Sequence, residues 1–194
     1  MPKASTAKVS IVLTTLLLIL SGCAQSPQQI NLNPQVRVNS HVSNQPNVHL
    51  SVVDKRASQS LGTRGGTYSD SNHITLASDL QSMLLPTANQ ALTQMGILID
   101  QPSPMPTVLQ IWVEKLRYEV NDDQPLPMKV TLQVQIAAVA NKGSQQQIAR
   151  YESSKVHTFL SPPSTAKNEE IINEIFSATL TRLFNDPKLV AMIE

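Results

Sequence analysis

Residues 128–160, "MKVTLQVQIAAVANKGSQQQIARYESSKVHTFL", decide the fold. Met128, Val130, Leu132, Val134 and Ile136 alternate with Lys129, Thr131, Gln133 and Gln135. Side chains of a strand point to opposite faces in turn, so this period of two predicts a strand with one oily and one polar face. Asn141, Lys142 and Gly143 supply a turn, and "IARYESSKVHTFL" is the expected returning strand. Such an antiparallel pair suits a sheet that is covered on one side only.

Working outward, two more segments carry the strand pattern. In "VLQIWVEKLRYEV", residues 108–120, Leu109, Ile111 and Val113 share one parity, whereas Leu116, Tyr118 and Val120 share the other. A β-bulge produces that flip, because one extra residue reverses which side chains face inward. In "NVHLSVVD", residues 47–54, Val48, Leu50 and Val52 fall on one face. The polar stretch that follows, through His73, holds Gly62, Gly65 and Gly66 and reads as a long surface loop.

Two segments switch to helical spacing. In "TLASDLQSMLLPTANQALTQMG", residues 75–96, Leu76, Leu80, Leu84, Ala88, Ala91 and Met95 make one apolar stripe, and Gly96 stands where a C-terminal cap belongs. Pro86 interrupts the pattern, but the stripe resumes in phase, so one kinked helix is expected, with two shorter helices as the alternative. "STAKNEEIINEIFSATLTRLF", residues 164–184, is the second amphipathic helix. Ser164 or Thr165 caps it, and Ile171, Ile172, Ile175, Phe176, Leu180, Leu183 and Phe184 form its buried side. Asp186 and Pro187 restart a short terminal helix.

The expected fold is therefore α+β, a two-layer sandwich. A mainly antiparallel sheet of four to five strands carries two amphipathic helices on one face, in the order β-α-β-β-β-α.

The N-terminus gives an address. Lys3 and Lys8 precede an apolar run, Val9–Leu20, that is shorter than the roughly 20 residues needed to cross a bilayer and suits a signal-peptide core. Leu20-Ser21-Gly22-Cys23 resembles the bacterial lipobox, and the resemblance implies cleavage before Cys23 and acyl chains on that residue. Cys23 is the single cysteine, so no disulfide within the chain competes for it. Two or more acyl chains make a firm anchor without a transmembrane helix. Ala24, where Asp commonly retains such proteins in the inner membrane, favours the outer membrane with the body facing the periplasm.

Three regions follow: a signal segment over 1–22, a lipidated N-terminus and flexible tether over 23–46, and one α+β domain over 47–194. The tether reading rests on Gln, Asn, Ser and Pro content, although "QVRVNSHV", residues 35–42, alternates well enough for an edge strand. Across 194 residues the chain has 15 Lys and Arg against 14 Asp and Glu, with no run of like charge that would mark a nucleic-acid partner.

"LSGCAQSPQQINLNPQVRV", "NVHLSVVDKRASQSLGTR" and "LQIWVEKLRYEV", in this order behind a lipobox, resemble successive blocks of the YajG family of bacterial lipoproteins. The resemblance runs through nearly the whole mature chain. It implies an envelope location and a single domain, and supplies no catalytic residues.

Chemistry-bearing residues are sparse. His41, His49, His73 and His157 lack metal-ligand spacing, so neither a metal nor a cofactor is expected. Asp122-Asp123 has the composition of a solvated turn, and "GTRGGT" lacks the Lys and Ser or Thr that complete a phosphate-binding loop. Asp54, Arg56 and Arg64 bound the glycine-rich loop and are the candidate partner-binding residues, with an Asp54–Arg56 pair as their structural role. The expectation is a non-enzymatic accessory lipoprotein that meets another envelope protein. A binding module for lipid, lipopolysaccharide or peptidoglycan fragments is the alternative.

Overall fold

The computed structural model describes residues 26–121 and 126–194. The expected signal segment, Cys23, Ala24 and the Asp122–Asp123 pair lie outside the described residues. The strands are β1 Gln28–Ile30, β2 Asn47–Asp54, β3 Ser60–Thr63, β4 His73–Leu76, β5 Leu98–Ile99, β6 Thr107–Asn121, β7 Met128–Lys142 and β8 Gln145–Phe159. The helices are α1 Leu80–Gln94, α2 Thr165–Phe184 and α3 Pro187–Ile193.

The class is α+β, but the sheet has eight strands rather than four to five, and the order is β-β-β-β-α-β-β-β-β-α-α. The four strands legible in the sequence are β2, β6, β7 and β8. The others, β1, β3, β4 and β5, are two to four residues long and bury at most two side chains each, too few for a period to register. The expected loop over 55–73 thus contains β3 and leads directly into β4, its antiparallel partner.

The sheet is also mixed. The long hairpins β6–β7 and β7–β8 are antiparallel, whereas β2 joins β6 in parallel from Val48↔Thr107 to Asp54↔Val113. Parallel neighbours need a crossover, and α1 provides it. Further along β6, Gly62 of β3 pairs in parallel with Tyr118, so β2 and β3 lie end to end along one side of β6. A Cβ on Gly62 would sit 1.9 Å from the Tyr118 carbonyl oxygen, which only glycine avoids.

Register explains the parity flip. Val113 opposes Ile136 and Lys115 opposes Gln135, leaving Glu114 as the extra residue of a bulge. Leu109, Ile111 and Val113 before it, and Leu116 and Tyr118 after it, consequently face the same core. Opposite them stand Val130, Leu132, Val134, Ile136, Ala138 and Ala140 of β7.

The helices close this face as the spacing predicts, except that Leu76, expected on the first helical stripe, ends β4, and α1 begins at Leu80 behind the N-cap Asp79. α1 is one continuous helix with Pro86 inside it, so the two-helix alternative does not hold. Its end is a Schellman turn: Gly96, at φ 85°, donates to Thr93 O, and Ile97 donates to Leu92 O, each at 3.0 Å. Ser164 caps α2 by accepting from Lys167 N, and Asp186 caps α3 by accepting from Lys188 N.

Residues 26–46 are not a flexible tether. Gln28, Gln29 and Ile30 pair in parallel with β4, and Ile30, Leu32, Pro34 and Val42 are buried. The stretch 35–42 is extended, yet it is not an edge strand. It runs as a strap along α2, in the same direction. Backbone N–H groups of Asn31, Asn33, Gln35, Arg37 and Asn39 donate to Glu169 Oε1, Asn173 Oδ1, Ser177 Oγ, Thr181 Oγ1 and Asn185 Oδ1. Two residues of extended chain span about 6.6 Å and four residues of helix about 6 Å, so each second strap residue meets each fourth helix residue. The intervening Leu32 and Pro34 point inward, where Leu32 N meets Met83 Sδ and Pro34 O accepts from Thr87 Oγ1, both on α1. At the far end Val42 N donates to Met95 O at 2.8 Å. The strap therefore fills the groove between α1 and α2.

Asn173 accepts from Asn33 N and donates to Asn31 O at 2.9 Å, so Asn173→Ala breaks two strap bonds. The expected loss is about 1–2 kcal/mol, less about 0.5 kcal/mol for alanine's better helix propensity. A lower urea midpoint at unchanged slope is the measurement that checks it.

Candidate functional site

Three places bring chemically capable side chains together: a polar clamp where the N-terminal chain enters the body, the Asp54–Arg56 corner, and the uncovered face of the sheet.

The clamp joins β1, the β3–β4 turn, β6 and α2. Gln28, Arg64, Asn72, Tyr118 and Asn168 are all buried there. Arg64 Nη1 donates to Ser26 O at 3.1 Å, while Asn72 ties the turn by accepting from Arg64 N and donating to Gly65 O. The Tyr118 hydroxyl lies 3.1 Å from Asn168 Oδ1, and the Asn168 and Gln28 amides meet at 2.6 Å. Burying polar groups is tolerated because they satisfy one another. Arg64, read from the sequence as a loop residue facing a partner, instead faces inward and grips the chain three residues after Cys23.

Asp54 and Arg56 form the pair that the sequence suggests. Arg56 Nε and Nη2 donate to Asp54 Oδ1 and Oδ2 at 2.9 and 2.7 Å, and the Arg56 side chain is 6% exposed. This fork holds the Asp54 carboxyl below the usual carboxylate range. It staples the outward step of the chain between β2 and β3, so that both lie along β6. A cleft of about 570 Å³ opens beside it, lined by Asp54, Arg56, Gln59, Ser78, Asp79 and Gln81 among others. Arg56 Nη1 has no hydrogen-bond partner among the described residues. Arg56 and Arg64 thus belong to separate structural fixtures rather than to one partner-binding loop.

The histidines stay dispersed. His49 Nδ1 contacts Asp100 at 2.8 Å on the surface. His157 stacks with Phe159 at 6.2 Å, and burial, then repulsion from Lys155, lowers its pKa. Among the described residues no group of His, Cys, Asp and Glu could hold a metal ion.

The alternation predicts an uncovered face, but a polar one; what sequence reasoning passed over is its apolar half. In register across it lie Val53, Trp112, Ala137 and Arg150, and beside them Gln110, Val139 and Ile148. Ala137 and Val139 are fully buried on this face, with Trp112 beside Ala137 and Gln110 beside Val139 in the register. Val108 and Ile148 remain 37% and 42% exposed, and Lys55 Nζ lies 5.2 Å over the Trp112 ring. The signal was available in "IAAVA", 136–140, where polar alternation stops: a strand that is apolar on both faces buries both. Beyond the bulge the same face is polar, with Arg117, Glu119, Thr131 and Gln133.

The clamp has a titratable member. Burial pushes the Tyr118 phenol up to about 12, against the pull of Asn168 and of the Arg64 charge. The folded value lies above the ordinary one near 10, so the neutral phenol's contribution is complete below pH 10 and is lost as pH rises through 12. Urea unfolding between pH 10 and 12 should therefore show stability falling more steeply in the native chain than in Tyr118→Phe.

A solved structure shares the fold, and others resemble it more weakly. Protein XCC0632 from Xanthomonas campestris superposes with a TM-score of 0.54 at 13% identity, covering 82% of this chain and 93% of that one. A putative neuraminyllactose-binding hemagglutinin homolog from Helicobacter pylori gives 0.46 at 11% identity, over 84% and 95% of the two chains. A minor lipoprotein from Acinetobacter baumannii gives 0.39 at 12%, over 77% and 90%. No curated protein matches the sequence. A family model described as "Uncharacterized lipoprotein" matches residues 34–194, nearly the whole described body, and the chain belongs to that YajG-type lipoprotein family.

Proposed function

We propose that this chain is a non-enzymatic accessory lipoprotein of the cell envelope. Acyl chains on Cys23 hold it at the periplasmic face of the outer membrane, and its uncovered sheet face docks another envelope protein. Membership of a lipoprotein family and the lipobox before Cys23 support the anchor. Ala24 supports the outer membrane. Among the described residues no helix is long and apolar enough to cross a membrane.

The open face is the observation that carries the docking role. Val108, Trp112 and Ile148 form an apolar band over the buried Val139, bounded by Arg150 and by the charged half of the sheet beyond the bulge, the arrangement of an apolar centre with a polar rim. The band continues to β8, which among the described residues pairs with β7 alone and presents a 15-residue outer edge. An edge of this kind accepts an added strand.

A binding module for lipid, lipopolysaccharide or peptidoglycan fragments is the second reading. The cleft at Arg56, with one buried nitrogen unpaired, favours it. The Asp54 and Asp79 carboxylates on the same rim count against phosphate groups there.

Photo-crosslinking in intact cells tests the docking role. A crosslinker replacing Ile148 should capture one envelope protein, whereas the same group replacing exposed Gln90 on α1 should not. Cys23→Ser should release the body from the membrane and abolish the capture. Equal labelling from both positions contradicts the reading.

A further inference from the structure

The register of the sheet collects six strand ends at one end of the body. The pairs Gln28↔Ile74, Thr63↔His73, Gly62↔Tyr118, Asn121↔Lys129 and Met128↔Phe159 place there the starts of β1, β4 and β7 and the finishes of β3, β6 and β8. The N-terminal chain leaves the body at this end. Arg64 holds Ser26 O, and the Gln28 amide reaches Pro163 O at 3.5 Å.

This end carries Leu160, the most exposed large apolar side chain among the described residues, together with Leu126 and Tyr68. Leu160, three residues before Pro163, is 84% exposed; Leu126, two before Met128, is 58% exposed; Tyr68, four after Arg64, is 54% exposed. Among the described residues the charges around them are of both signs, Lys129 and Lys167 against Asp70 and Glu170, with Lys167 paired to Glu170 at 2.7 Å, and the sequence adds Asp122 and Asp123 to the β6–β7 connection.

Covalent geometry then limits what can face it. From Cys23 to Ser26 there are three Cα steps, which reach about 11 Å at full extension. Because β1, the clamp and the strap fix everything from Gln28 onward, no slack exists further along the chain. The geometry points to the end bearing Tyr68, Leu126 and Leu160 as a surface that seats on a phospholipid bilayer. The inference rests on the Cys23 anchor proposed above. An anchor in the headgroup region about 11 Å from Ser26 brings this end against the membrane, where side chains of this kind insert to a shallow depth. The long strands then stand away from the bilayer and leave the open face accessible from the periplasm.

The protein purified from cells, reconstituted into vesicles of phosphatidylethanolamine and phosphatidylglycerol, tests this. If its mass shows a free thiol, the anchor reading fails, and Cys23 is coupled to a maleimide-bearing lipid so that the seating is tested all the same. Trp112 is the single tryptophan and lies on the open face, so it serves as the internal control. Brominated lipids should leave the emission of the native chain unchanged and quench the added emission of Leu160→Trp, with a blue shift on vesicle binding. Leu126→Trp should behave as Leu160→Trp does, while Val108→Trp should resemble the native chain. Equal quenching at Leu160 and Val108, or none at Leu160 and Leu126, overturns the seating.

Discussion

The fold depends on how the backbone of residues 31–39 satisfies its hydrogen bonds. A buried or half-buried extended segment needs partners for its N–H groups, and an adjacent strand is the usual supplier. Here the supplier is a helix. Glu169, Asn173, Ser177, Thr181 and Asn185 place an oxygen every fourth residue along α2, and alternate strap amides donate to them. Asn173 and Asn185 also return bonds to the carbonyls of Asn31 and Arg37. The strap is thereby held in one register, with Leu32 and Pro34 turned into the groove between α1 and α2. A shift by one residue would turn these apolar side chains outward and lose the amide ladder together.

Other features follow from that constraint. With strap and helices on one side, the sheet's other side is left uncovered, and Trp112, Val139 and Ile148 lie there. With the strap fixed, β1 is fixed, and the clamp of Arg64, Asn72, Tyr118 and Asn168 closes over its start. The attachment point proposed at Cys23 lies three residues in sequence before Ser26, which the clamp holds. A long tether lets a domain search a wide volume, whereas a short one converts a lipid anchor into an orientation. An anchor at Cys23 would be of the second kind. With that anchor, the same polar ladder and clamp that stabilise the fold would set which end stands nearest the membrane.

Much of this was legible in the sequence. Alternation in 128–136 and 47–54 gave β7 and β2, the parity change in 108–120 gave the bulge at Glu114, and 3.6-residue spacing gave α1 and α2 with their caps. Short strands escaped because β3 buries only Leu61 and β4 only Ile74, and one side chain defines no period. The strap escaped for a different reason. Its composition is that of a disordered segment, and its partners are side chains 138 to 146 residues away. A clue did exist: after Glu169, short polar residues at 173, 177, 181 and 185 form a stripe beside the apolar face of α2, where solvent-facing Lys and Glu would be usual. Arg64 was misplaced because a glycine-rich neighbourhood suggests an exposed loop, whereas Asn72 folds that loop back and buries the guanidinium.

Amide hydrogen exchange in the purified protein tests the strap most directly. The amides of Asn31, Asn33, Gln35, Arg37 and Asn39 should exchange slowly and at similar rates, because one cooperative opening must release them all. Exchange of these five amides at the rates of an unstructured peptide, with β6 and β7 still protected, would contradict the account. A free N-terminal segment would then replace the strap, and the fixed path from Cys23 to the body would be lost.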